Sequence, residues 1–197
     1  MLGPLREHAQ SLRGCAAWPG RDALQAVLSA RGIVNAGSAR VRLCAPGGKS
    51  VPYEEGIRLR GDMPFREGDW HDLFNALAWA AYPATKAALN DAHYHALLEE
   101  RARGQERGRM YERGRTNERG RRRDALTVFD ENGAIVVSSS ASLLDDLRAF
   151  RWKRLFVERR DEVRAAMRVH LFGHDLFEKA LRPYVGMTAH ALLLPVS

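Results

Sequence analysis

The spacing of apolar residues divides the chain into helical and extended stretches. Leu24, Val27 and Leu28 share one face of a helix expected over 21–31, and Gly32 stands where a left-handed cap would end it. Val41-Arg-Leu-Cys44 alternates apolar and polar positions as a half-buried strand does. Ala45-Pro-Gly-Gly48 breaks it, and Ile57-Arg-Leu-Arg60 alternates again before Gly61, so the two are expected as strands that could pair. From Asp69 the period turns helical: Asp69 is placed as an N-cap, Asp72 follows three residues on, and Leu73, Leu77 and Ala80 or Ala81 recur at helical spacing. Pro83 interrupts this pattern. Proline is accepted in a first helical turn, so 69–81 and 84–100 are expected as two helices or one kinked helix.

Further on, Ala125-Leu-Thr-Val-Phe129 and Ala134-Ile-Val-Val137 flank Asp130-Glu-Asn-Gly133, and Asn-Gly between β-branched runs predicts a hairpin. Ser139 or Ser140 is placed to cap a helical stretch from about Leu143, with Trp152, Leu155, Phe156, Val163 and Met167 along it. The short apolar tail over 188–196 reads as a closing strand. Together these elements predict one α+β domain over 1–197, with a small, mainly antiparallel sheet packed with helices.

The length of 197 residues suits one ordinary globular domain. There is no apolar run of about 18 residues, as a membrane span requires, and the first residues show no signal-peptide stretch, so a cytoplasmic protein is expected. Two cysteines, Cys15 and Cys44, are too few and too far apart for a disulfide framework or a zinc motif. No Gly-x-Ser-x-Gly elbow, phosphate loop or Gly-x-Gly-x-x-Gly is present, which argues against serine hydrolases, nucleoside triphosphatases and dinucleotide oxidoreductases.

The net charge of +7 has a local origin. Glu-Arg-Gly-Arg recurs with a period of six over 105–122, and the stretch 101–123 holds 10 arginines and 3 glutamates, net +7, so the remaining residues balance. A period of six builds neither a helical nor a strand face, and almost nothing in the stretch is apolar, so a flexible loop over 101–123 inserted in the domain is expected. As a nucleic-acid arm it would use Arg107, Arg109, Arg113, Arg115, Arg119, Arg121, Arg122 and Arg123 to pair with the phosphates of RNA or DNA. With Tyr111 as the only aromatic residue, such binding would be electrostatic and salt-dependent; the alternative is a solvated insertion without a ligand.

Polar residues recur on the two central helices. His71 and Asn75, four apart, share a face flanked by Asp72, and Lys86, Asn90 and His93 form a second stripe. If the break at Pro83 folds the helices together, an imidazole, a carboxylate, an amide and an ammonium converge, the mixture that acid–base or phosphate chemistry uses. Asp130 and Glu131 add an acidic pair beside the expected turn, which makes His71, Asp72, Asn75, Lys86, Asn90, Asp130, Glu131 and His174 the candidate catalytic set. His170, His174 and Glu178 follow at intervals of four, a spacing that holds a zinc-like ion on a continuous helix. Gly173 sits inside that run, and Leu171 stands where the usual zinc-protease glutamate would be; a divalent metal is the cofactor this spacing would hold.

Three blocks resemble a bacterial family known as domain of unknown function 3025: Trp70-His-Asp-Leu-Phe-Asn-Ala-Leu-Ala-Trp79 running into Pro83 and Lys86-Ala-Ala-Leu-Asn90, then Arg123-Asp-Ala-Leu-Thr-Val-Phe-Asp-Glu-Asn-Gly133, then Phe172-Gly-His-Asp-Leu-Phe-Glu-Lys179. With Tyr53-Glu-Glu-Gly-Ile57 upstream, the resemblance covers most of the chain from about residue 40 onward, and it implies a single bacterial domain without implying a reaction. The candidate catalytic residues and Glu178 lie inside the matching blocks; His170 does not, so the resemblance implies His174 and Glu178 as the metal candidates, and the arginine repeats look like an addition before Arg123. Three functional expectations result. The first is association with nucleic acid through the arginine loop, beside a polar pocket of unassigned role. The second is a metal-assisted hydrolase acting on a phosphorylated or nucleotide substrate, with His71, Asp72 and His174 as ligands or acid–base groups. In the third, the polar motifs only cement the fold.

Overall fold

The computed structural model describes residues 3–15, 17–47, 51–108 and 120–196, with the side chains of 104–108 outside that description. After a 3-10 turn and the short helix α1 (Arg6–Gln10), α2 (Arg21–Ala30) buries Leu24, Val27 and Leu28, and Gly32 takes the expected left-handed conformation at φ +59°. Strand β1 (Arg42–Cys44) forms where alternation predicts it.

Its partner differs from the expected one. The stretch around Ile57 is helix α3 (Tyr53–Arg60), and β1 pairs in parallel with the following strand β2 (Asp62–Pro64), Leu43 against Met63. A four-residue alternation cannot separate strand from helix. Here only Ile57 reaches the core while Leu59 faces solvent, Glu54 and Glu55 favour the positive end of the helix, and Gly61 terminates it. Gly61 is at φ +75°, and a Cβ there would overlap the carbonyl oxygen of Arg40, so this turn requires glycine.

Helix α4 (Trp70–Ala81) starts on the predicted cap, the Asp69 carboxylate accepting from the Asp72 amide at 3.0 Å. Residues 73–80 are all buried, so α4 threads the larger core, packed by Leu24 and Leu28 of α2, Ile57 of α3 and Phe177. Each such apolar side chain contributes roughly 1.5–3 kcal/mol. Pro83 opens a separate helix, α5 (Pro83–Gly108), and α6 (Arg121–Asn132) returns beside it. The expected loop is therefore shortened from both ends: 101–108 continues α5, Arg121–Arg123 is the first turn of α6, and 109–119 lies outside the described residues.

The expected hairpin is also replaced. Residues 125–129 belong to α6, which runs through Asn132 directly into strand β3 (Gly133–Ser138). Gly133 has φ −77°, so Asn-Gly forms a helix-to-strand junction instead of a hairpin turn, and the partners of β3 come from far along the chain. Helix α7 (Ala141–Arg148), a π-helical turn (Arg154–Glu158) and α8 (Arg160–Ala166) occupy the stretch expected as one long helix. Strand β4 (Met167–Leu171) then lies antiparallel to β3, helix α9 (His174–Lys179) follows, and β5 (His190–Pro195) closes the sheet parallel to β3, in the order β4-β3-β5. Val136, Leu143, Leu144, Leu155 and Met167 form a second core under this sheet. The architecture is α+β, with one parallel and one mixed sheet where mainly antiparallel pairing was expected. Among the described residues no helix is long and apolar enough to cross a membrane.

Candidate functional site

Four helices and the start of a fifth enclose a cavity of about 350 Å³. Helix α3 contributes Tyr53, Glu54 and Ile57; α4 contributes His71, Asp72, Asn75 and Trp79; α5 contributes Lys86, Leu89, Asn90 and His93. Helix α6 adds Thr127, Asp130 and Glu131, and α9 adds His174. All eight residues expected as catalytic thus line one cavity. The helical form of 121–132 matters for this convergence. Arg123, Thr127 and Asp130 are spaced four and three, one helix face, whereas a strand would turn Thr127 and Asp130 to opposite sides.

At the centre, the Lys86 ammonium, 3% exposed, donates to Asn75 Oδ1 at 2.8 Å and to Asp130 Oδ1 at 2.6 Å. Asn75 Nδ2 donates in turn to the Tyr53 hydroxyl oxygen at 2.7 Å. The rings of Trp79 and Phe172 lie 5.9 and 6.0 Å from the ammonium, so its surroundings are half aromatic, half polar. Burial acts to raise the Asp130 carboxyl pKa, but the adjacent Lys86 and His174 outweigh it and hold the group below the ordinary carboxylate range. Tyr53 moves the other way: the residue is 39% exposed, but its hydroxyl sits on buried Asn75, and desolvation there, then the negative charge of Asp130, pushes the phenol upward, so it stays protonated.

The histidines form a directional chain. His174 Nδ1 lies 2.8 Å from the Asp130 backbone carbonyl oxygen, which can only accept, so Nδ1 carries the proton. His174 Nε2 is then an acceptor, and the His71 Nε2 3.0 Å away must donate to it. That leaves His71 Nδ1 facing Glu178 Oε2 at 3.5 Å. Burial and the positive charge of Lys86 lower the His174 pKa to about 3, so its imidazole is neutral near pH 7. His71, with its side chain 34% exposed, is the accessible end of the chain.

The remaining candidates are held more structurally. Asp72 receives the Arg66 guanidinium through two bonds, 2.9 and 2.8 Å, and the Arg66 amide at 2.8 Å. Burial alone would raise its pKa; these donors hold it below the usual value. Asn90 Nδ2 donates to the Glu54 carbonyl at 2.9 Å, while its Oδ1 is buried without a hydrogen-bond partner. At the rim, Arg123 bridges Glu54 at 3.3 Å and Glu100 at 3.2 Å.

The expected metal pair does not converge. Both ring nitrogens of His174 are taken, by Asp130 and His71, and His170 lies on β4, away from the helix that carries His174 and Glu178. Among the described residues the ligand atoms that gather within 4.8 Å of one another belong to His71, Asp175 and Glu178, and Asp175 is paired with Lys179 at 2.6 Å. Of the arginines expected to meet nucleic acid, Arg123 is tied to Glu54 and Glu100, Arg122 to Glu99 at 2.8 Å, and Arg121 is exposed on the first turn of α6. Arg107 falls in α5 with its side chain outside the described residues, and Arg109, Arg113, Arg115 and Arg119 lie outside them altogether.

Sequence reasoning missed Tyr53 and Arg66 as members of the site. Reading 53–60 as helix would have found Tyr53, because Tyr53 and Ile57 then fall one turn apart on the inward face. Arg66 had no such signal, because its link to Asp72 depends on the loop geometry before α4. Comparison with curated proteins finds no match, and comparison with solved structures finds none. A family model does match, over residues 44–197, the stretch that carries every wall of the cavity, and the chain accordingly belongs to the family described as Protein of unknown function (DUF3025).

Proposed function

We propose that this protein is an enzyme that carries out general acid–base chemistry on a small polar molecule bound in the cavity. The observation that carries this reading is the pair of hydrogen-bonded runs that meet at Asp130, Tyr53–Asn75–Lys86 on its carboxylate and His71–His174 on its backbone carbonyl, along one wall of a cavity large enough for such a ligand. It reaches solvent at His71, whose side chain is 34% exposed beside Glu178.

The roles follow from the donors and acceptors. Lys86 uses two of its three N–H groups on Asn75 and Asp130, which leaves a third donor on an ammonium that lines the cavity. Tyr53 accepts from Asn75 and keeps its own proton to donate. Both can stabilise negative charge developing on a substrate oxygen. His71 exchanges the proton, and neutral His174, fixed by the Asp130 carbonyl, orients it. Because Lys86 and Asp130 neutralise each other, the cavity centre favours a neutral, hydroxyl- or amide-bearing molecule over the phosphorylated substrate expected from sequence. A hydrolase that uses a metal finds less support, since His174 and Asp72 have their ligating atoms engaged.

Thermal-shift screening with small polar metabolites tests binding. A hit should raise the melting temperature of the wild type, with the shift lost in Tyr53→Phe and Lys86→Met. Hits that stabilise these variants as much as the wild type would remove the cavity from the account.

A further inference from the structure

Away from the cavity, the connection between α7 and α8 carries a surface that the proposed chemistry does not use. The chain leaves α7 through Phe150 at φ +53°, a left-handed conformation uncommon for an aromatic residue, and then makes the π-helical turn. Such backbone is retained where the surroundings hold it, often at functional surfaces. Here it sets out three aromatic rings in a row. Phe150 and Trp152 meet edge to face at 5.5 Å, and Trp152 and Phe156 stack at 6.1 Å with 13° between their planes. The residues are 70%, 49% and 55% exposed.

Cations alternate with the rings along the sequence: Arg148, Arg151, Lys153 and Arg154. Asp146, buried beneath them, gathers three guanidiniums, from Arg159 at 2.6 Å, Arg151 at 3.0 Å and Arg154 at 3.1 Å. Arg159 also holds Glu162 at 2.7 Å, so three arginines against two carboxylates leave an excess of one positive charge, with Arg151 and Arg154 still half exposed. The neighbouring Asp145 and Glu158 are matched by Arg148 at 2.7 Å and Lys153 at 3.7 Å, so they do not cancel that excess.

We propose that this surface binds single-stranded nucleic acid, with bases stacking on the rings of Phe150, Trp152 and Phe156 and phosphates pairing with Arg151 and Arg154. Exposed planar rings beside anchored guanidiniums match the two faces of a single strand, since every base offers a π-face and every linkage a phosphate. A lipid surface fits less well, because Val157 is the one exposed large aliphatic residue in this turn. The surface comes from a different stretch of sequence than the Glu-Arg-Gly-Arg repeat and carries three aromatic rings, where the repeat has Tyr111 alone.

Fluorescence anisotropy of the full chain with labelled oligo(dT) and oligo(U) of about a dozen residues, and with a duplex of the same length, tests this at about 50 and 200 mM salt. Single strands should bind more tightly than duplex, the dT-to-U ratio separating DNA from RNA as the source. Trp152→Ala and Phe156→Ala should each weaken binding about ten-fold, and Trp152→Phe should restore most of it. Arg151→Gln with Arg154→Gln should weaken binding and flatten its salt dependence. A variant with Arg109, Arg113, Arg115 and Arg119 changed to Gln should bind as the wild type does. Ring variants that bind normally, loss confined to the repeat variant, preference for duplex, or binding to phosphatidylserine vesicles without binding to oligonucleotides would each overturn the proposal.

Discussion

Lys86 and Asp130 show how much the site asks of single residues. Removing one partner of a buried pair strands the other charge, so Lys86→Met is expected to destabilise the fold by about 3 kcal/mol in urea unfolding, and Lys86→Met with Asp130→Leu to recover much of that loss. A single variant as stable as the double would show that the pair is not desolvated. His174 makes a pH prediction. Its pKa is 6.5 when exposed and about 3 in the fold, so between these values the unfolded chain binds the extra proton. Its contribution is therefore complete above pH 6.5 and declines as the pH falls toward 3, with a slope of up to about 1.4 kcal/mol per pH unit. Denaturation of His174→Gln over the same range should show a shallower acid slope, and an unchanged slope would place the effect on other groups. Residue types were legible from sequence here: helical spacing alone singled out His71, Asn75, Lys86 and Asn90. The tautomer order was not, because it depends on a carbonyl of α6 meeting an imidazole of α9.

At the scale of elements, the sequence was most legible where caps and period agree, as in α2 and α4, and least where a short apolar run admits two readings. Residues 57–60 and 125–129 both read as strands, and both fold within helices, Tyr53–Arg60 and Arg121–Asn132. In each case tertiary placement decides, since neither has a deep apolar face: α6 has no fully buried residue, and α3 buries Gly56 and Ile57. Gly61 tests the α3 boundary. Alanine there meets both a left-handed backbone and the Arg40 carbonyl, so Gly61→Ala is expected to cost about 1–3 kcal/mol by thermal or chemical denaturation. A neutral effect would mean that the junction between α3 and β2 relaxes freely.

For the whole molecule, the cavity forms because segments far apart in sequence, from Tyr53 to His174, close on the buried helix α4. The balance of charge outside 101–123 fits the proposed internal chemistry, and the aromatic and arginine surface that follows α7, proposed to take single strands, is built from residues that do not line the cavity. Turnover in the cavity is tested by mass-spectrometric profiling of a mixture of small polar metabolites incubated with purified wild type, His71→Gln or Tyr53→Phe. The wild type is expected to consume a neutral hydroxyl- or amide-bearing compound, and both variants, folded with near-normal melting temperatures, to lose at least about 100-fold in rate. Equal consumption by wild type and variants, or none by any of them, would contradict turnover in the cavity.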